Sequence, residues 1–244
     1  MFPIRDHNPS GRTPYVTYGL ILANVGIFLA YWLPYDAALA PRVFFDWGVI
    51  PLRLLQTGDW FTAFTSMFLH GGWMHLIGNM LFLWIYGDNM EDVLGPVRFL
   101  LFYLASGLAA VALQVGADPG SIVPMVGASG AIAGVMGGYL LLFPKARIDI
   151  FFFFIVFFRI IPVRAWIVLG IWLALQIFGG FSVPTDRGGV AYFAHLGGFA
   201  GGLLMTVPVW LARGGTAFWN VTQGTPPHPA AGYGPSRIPK VPRR

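Results

Sequence analysis

Apolar residues run along this chain in long unbroken stretches, separated by short clusters of charge, proline and glycine. Six stretches, about Pro14 to Leu33, Gly71 to Gly87, Val97 to Gly116, Val123 to Phe143, Arg164 to Phe181 and Val190 to Leu211, come close to the roughly 20 residues that a helix needs to cross a hydrocarbon core. None alternates in the manner of a barrel strand, and a helix satisfies its own backbone groups in lipid. The pattern predicts an all-α membrane protein, a bundle of six transmembrane helices with residues 14–211 as its core.

Two segments depart from this pattern. From Asp36 to His70 the chain sets Phe44, Phe45, Trp47, Trp60, Phe61, Phe64 and Phe68 among Pro, Asp and Arg, which predicts a first loop partly embedded in the membrane interface. Ile150 to Ile161 is too short to cross and is fenced by Lys145, Arg147, Asp149 and Arg159, so it is expected to lie at the interface. Of the two tails, 1–13 is polar and 212–244 is basic and rich in Pro and Gly, and the second is expected to be disordered. His7 and His228 fall in these tails and are read as chemically idle.

Composition fixes the solvent and removes several chemistries. The chain is 56% hydrophobic and 10% charged, where soluble domains carry about a quarter of their residues charged. With no cysteine there are no disulfides, no thiolate nucleophile and no Cys-ligated metal. The net charge of +5 does not point to nucleic acid, because the basic residues sit at span ends and in the tail without an aromatic-interleaved basic face. Counted over alternate loops, twelve Lys and Arg fall on one side of the bundle and only Arg42, Arg53 and Arg187 on the other. That asymmetry predicts both termini in the cytoplasm, and the compact multi-pass form is expected of a bacterial inner membrane, with an organelle inner membrane as the alternative.

All ten Asp and Glu lie in predicted loops or at span ends, so the interior offers no carboxylate pair, acidic metal site or proton relay. It does hold His75, Asn79, Gln114, Ser129, Gln176 and His195, and polar groups at membrane depth are costly enough to be functional candidates. Ser129 stands in Gly127-Ala128-Ser129-Gly130 at the start of the fourth stretch, where a helix N-terminus presents free N–H groups. Alone, a serine among small residues is more often a packing contact. His195 begins a run to Gly202 in which Gly198 with Gly202, and Gly197 with Gly201, allow close helix approach. If the neighbour is the fourth span, His195 can reach Ser129 and take its proton. His75 and Asn79 are four residues apart on one helical face, and their donors suit either an oxyanion or interhelical hydrogen bonding. His70 reads as a turn anchor. The spacing of His70, His75 and His195 does not match helical zinc motifs, and no metal or other cofactor is called for.

Taken together, Gly127 to Gly130, Ala194 to Gly202 and His75 to Asn79, in this order of spans, resemble the rhomboid family of intramembrane serine proteases. The resemblance covers the six-span core and leaves out both tails. It implies an intramembrane serine endopeptidase with a Ser–His dyad: Ser129 as nucleophile, His195 as general base and then acid, and His75, Asn79 and the Ser129 backbone N–H around the oxyanion. It further implies a hydrophilic cavity open to the outer face, a gate formed by the loop Phe181 to Gly189 with the fifth span, and membrane-spanning segments of other proteins as substrates. Two positions depart from the family pattern. Trp60 is followed by Phe61 where a Trp-Arg pair is often found, and Ala133 stands where some members place an aromatic against the histidine.

Two other readings use the same residues. A catalytically silent relative that binds membrane clients would share the fold, and the presence of both Ser129 and His195 argues against it. A small transporter would use the same polar cavity, and the lack of interior carboxylates and of inverted repeats argues against that.

Overall fold

Six helices follow the six apolar stretches in the computed structural model, which describes residues 2–7, 10–33, 39–154, 157–182 and 189–224. They are α1 (Tyr15–Trp32), α5 (Trp73–Leu94), α6 (Pro96–Ala117), α7 (Ser129–Leu142), α8 (Ala165–Ser182) and α9 (Tyr192–Ala212). By length and composition alone α1, α6, α8 and α9 can each cross a membrane. The other two differ for physical reasons. Three acidic residues, Asp88, Glu91 and Asp92, fall near the end of α5, and α7 has only 14 residues.

The short helix is the centre of the bundle. Within α7 only Ser129, Leu140 and Leu141 are not buried. Glycine determines how closely its neighbours approach. A β-carbon at Gly198 would overlap the carbonyl oxygen of Gly130, and one at Gly202 would overlap that of Gly134. From the other side of the same seam, a β-carbon at Gly137 would overlap the carbonyl oxygen of Phe199. On its second face α9 sets Gly197 and Gly201 against Ala109 of α6. Lipid tails are as apolar as leucine, so this association rests on van der Waals contact between closely apposed backbones.

The second span runs seven residues past the expected Gly87 because its charges are used inside the protein. Glu91, 5% exposed, accepts hydrogen bonds from the backbone N–H of Val16 (3.0 Å) and Thr17 (2.8 Å) and from the Thr17 hydroxyl (2.8 Å). A carboxylate on α5 thus caps α1, where Pro14 supplies no capping side chain and the helix dipole favours negative charge.

Between α1 and α5 the first loop folds into α2 (Ala40–Trp47), α3 (Pro51–Thr57), α4 (Thr62–Thr65) and a 3₁₀ turn, Ser66–Phe68. Exposed Phe45, Trp47, Trp60, Phe61 and Phe64 give it the aromatic surface suited to a membrane interface. Arg53 organises this loop. Arg53 donates to the carbonyls of Phe45 and Gly48, pairs with Asp59 (3.3 Å) and stacks over the Phe45 ring.

Three differences from the sequence expectation lie at the far end of the bundle. Ile150 to Ile161 is not an irregular segment: β2 (Arg147–Phe154) and β3 (Phe157–Arg164) pair antiparallel there. The N-terminal segment adds β1 (Phe2–Asp6) to β2, giving the order β1-β2-β3. The run is rich in β-branched and aromatic residues and too short for a span, and strand pairing satisfies its backbone. His7 is also not idle. With Arg5 it holds the buried carboxylate of Asp149, at 2.5 Å from His7 Nε2 and 2.7 Å from Arg5 Nε. Asp6 in turn accepts from Asn89 of α5 and Tyr139 of α7, both at 3.1 Å. Finally, part of the C-terminal tail is ordered as α10 (Thr216–Thr222). Phe218 is buried there, Trp219 donates to the Leu141 carbonyl (2.9 Å) and its ring packs on Trp210. The remainder of that tail, 225–244, and with it His228, lies outside the described residues.

Two expected outcomes follow from this packing. Gly198→Val should force α7 and α9 apart and cost about 1–3 kcal/mol, lowering the thermal unfolding midpoint in detergent. An unchanged midpoint would mean that the two backbones do not meet. Burial pushes the Asp149 carboxyl up, but hydrogen bonds and charge from His7 and Arg5 outweigh it and hold the group below its ordinary value. The stability it contributes is therefore present above the unfolded value of about 4 and lost as the pH falls further. Proteolytic clipping of the N-terminal strand should stay slow down to about pH 4 and rise below it, and Asp149→Asn should be clipped already at neutral pH. Equal clipping of the variant and the parent at neutral pH would rule out the clasp.

Candidate active site

Ser129 is the first residue of α7, and the chain reaches it by a route the first loop dictates. Val49 and Met125 exchange backbone hydrogen bonds (3.1 and 2.7 Å), and Gly127 N–H donates to the Ser66 carbonyl (2.9 Å). Gly127 then turns with φ +133°, a left-handed conformation, and a β-carbon there would fall 2.8 Å from His75 Nε2. Only glycine meets both conditions without strain. Helix α7 has no side-chain N-cap, so the Ser129 N–H has no intrahelical partner.

His195 lies in the first turn of α9. Its Nε2 is 2.8 Å from Ser129 Oγ, and its Nδ1 is 2.7 Å from Gln176 Oε1 on α8. The Trp172 ring, one turn earlier on α8, lies over the imidazole with centroids 5.7 Å apart and planes tilted by 35°. An aromatic thus meets the imidazole from the fifth span, while Ala133 on the fourth is fully buried. The start of α9 is capped across helices, since Ala194 N–H donates to Gln114 Oε1 (3.1 Å).

His75 and Asn79 face the same space from α5. His75 Nδ1 accepts the Gly71 N–H (3.2 Å), which leaves the ring proton on Nε2, the nitrogen beside Gly127. Asn79 is 8% exposed, and among the described residues its Nδ2 has no hydrogen-bond partner. His70 stays out of the site's hydrogen bonds. Its backbone N–H and C=O are both held by the Tyr31 hydroxyl (2.8 and 2.7 Å), and its ring lies edge-on to His75.

These groups line one cleft of about 600 Å³, with His75, Asn79, Gln114, Ser129, Trp172 and His195 on its walls. Gly127 and Gly130 also line it, whereas Gly198 and Gly202 lie deeper, in the helix seam. The expected gate from Phe181 to Gly189 falls mostly on residues 183–188, outside those described. Sequence reasoning placed Gln176 and Gln114 among the interior polar groups but assigned them no partner. The i, i+4 spacing of Trp172 and Gln176 was the available signal for a common face.

Fold and site together define a polytopic helical membrane protein in which a hydrogen-bonded serine and histidine open onto a mostly apolar cleft. The chain belongs to the rhomboid family: residues 57–212 match the model of the Rhomboid domain. It is 30% identical over 197 residues to Rhomboid protein 1, mitochondrial, of Saccharomyces cerevisiae, covering 78% of this chain and 51% of that protein. It is 32% identical over 163 residues to Rhomboid protease GluP of Bacillus subtilis (66% and 28%), and 31% over 202 residues to RHOMBOID-like protein 12, mitochondrial, of Arabidopsis thaliana (76% and 55%). The chain therefore spans about half or less of the length of these relatives.

Proposed function

We propose that this protein is an intramembrane serine endopeptidase that cuts membrane-spanning segments of other proteins with Ser129 and His195. The observation that carries the reading is the 2.8 Å hydrogen bond between Ser129 Oγ and His195 Nε2 at the wall of the cleft. His195 Nε2 takes the hydroxyl proton as Oγ attacks the scissile carbonyl carbon, and the carbonyl oxygen becomes an oxyanion. The proton then passes from Nε2 to the leaving amine nitrogen. Water repeats the attack on the acyl-enzyme and releases Ser129.

Three donors support the oxyanion assignment: the free N–H of Ser129, the Nε2–H of His75 and the unpartnered Nδ2 of Asn79. Helix length supports an intramembrane position. The 14 residues of α7 rise about 21 Å, against about 30 Å of hydrocarbon, so with its far end at the sheet Ser129 falls below the opposite interface. The cleft offers water a route to that depth. A transmembrane helix hides its carbonyls, so a substrate carries small or helix-breaking residues that ease local unwinding.

The distribution of Lys and Arg supports a topology with both termini and the sheet in the cytoplasm and the cleft open to the other side. The absence of cysteine makes this directly testable. In intact cells a membrane-impermeant maleimide should label Gly120→Cys, and should label Thr13→Cys only after permeabilisation; the reverse order would invert the topology.

A fluorophosphonate probe should label the parent protein and not Ser129→Ala. Both Ser129→Ala and His195→Ala should lose cleavage of a transmembrane reporter while keeping their helix content. Asn79→Leu should lower kcat by about 10- to 1,000-fold through the lost oxyanion donor. Normal turnover by either dyad variant would overturn the assignment, and a parent protein that neither labels nor cleaves would leave a client-binding role.

A further inference from the structure

The mechanism above needs His195 to present a lone pair, not a proton, to Ser129. Imidazole can carry its single proton on either nitrogen, and the tautomer is set by what the other nitrogen meets. Serine hydrolases with three-residue sites commonly meet this need with a carboxylate. Among the described residues no Asp or Glu lines the cleft.

What meets Nδ1 instead is the side-chain amide of Gln176, at 2.7 Å. The orientation of that amide is itself determined. Its Nε2 donates to the Trp172 carbonyl (3.4 Å), one turn back on α8, so the atom turned to His195 is the acceptor Oε1. Nδ1 must then be the protonated nitrogen, and Nε2 is free to accept from Ser129. Trp172 blocks rotation of the same ring from its face. Gln176 is 8% exposed, so water does not readily replace it.

We infer that Gln176 is the positioning residue of the site, a neutral third member that fixes the His195 tautomer while Trp172 limits ring rotation. This rests on the assignment of Ser129 as nucleophile and His195 as base. A residue held only for packing would tolerate an apolar side chain of equal length; a positioning residue requires the acceptor.

The test uses the full chain in detergent and the rate at which a fluorophosphonate modifies Ser129, followed from about pH 5 to 9 across the range where imidazole titrates. Gln176→Met keeps length and removes the acceptor, and should slow modification about 10- to 100-fold, part of the 100- to 10,000-fold that a general base contributes. Gln176→Glu restores an acceptor and places a carboxylate against Nδ1–H, favouring the imidazolium. It should recover much of the lost rate and move the acid limb of the profile to higher pH. A parent-like rate for Gln176→Met, or an unmoved acid limb for Gln176→Glu, overturns the inference, and the second result decides if the methionine variant does not fold. Modification persisting in Ser129→Ala would instead overturn the dyad itself. A silent Ser129→Ala beside a parent-like Gln176→Met would discard only the role of Gln176.

Discussion

Everything in this molecule depends on how closely the backbones of α7 and α9 approach. Gly130 and Gly134 on one helix meet Gly198 and Gly202 on the other with no room for a β-carbon. Ser129 immediately precedes the first glycine of one row, and His195 lies three residues before the first of the other. The distance between their reactive atoms is therefore set by the seam. At 2.8 Å the hydrogen bond is near its optimum, and beyond about 3.2 Å it weakens. The seam thus has only a few tenths of an ångström of tolerance. Contacts between rigid backbones can hold such a limit better than long side chains with rotamers to spare.

A second constraint concerns helix ends. In a bundle surrounded by lipid, the unpaired N–H groups of a first turn cannot rely on water, and sequence-local caps are scarce here. Two helices solve this by borrowing acceptors from other spans. Glu91 on α5 serves α1, and Gln114 on α6 serves α9. The start of α7 has no side-chain cap, and its free N–H faces the cleft beside Asn79 and His75. The starts of α5 and α6 also lack a side-chain cap, but only that of α7 brings Ser129 to the cleft wall.

Much of this was legible in the sequence. The six apolar runs, the paired glycine spacings and the few polar residues stranded among them gave the bundle, the seam and the walls of the cleft, because membrane depth makes each exception conspicuous. What escaped depends on partners far apart in sequence. Asp88, Glu91 and Asp92 read as the end of a span, since nothing near them announces that Thr17, 74 residues earlier, needs Glu91. The sheet escaped for the same reason. Phe2 to Asp6 is too short to declare itself a strand, and the partner that stabilises it, Asp149, lies 144 residues from Arg5. Gln176 was visible as a polar residue, but its partner at His195 belongs to a different helix.

The use of an amide beside His195 is intelligible from the solvent. A carboxylate at the position of Gln176, almost fully buried and with no cation beside it among the described residues, would carry the desolvation cost of an unpaired charge in a hydrocarbon environment. An amide orients the imidazole through the same acceptor geometry without that charge. What it would give up, in the proposed mechanism, is electrostatic stabilisation of the imidazolium formed as Ser129 loses its proton, a contribution a carboxylate makes in three-residue sites. The compromise trades strength of the base for stability of the resting site. In the proposed mechanism it also places the remaining burden of transition-state stabilisation on the proposed oxyanion donors, which lie on α5 and α7, away from the histidine's helix.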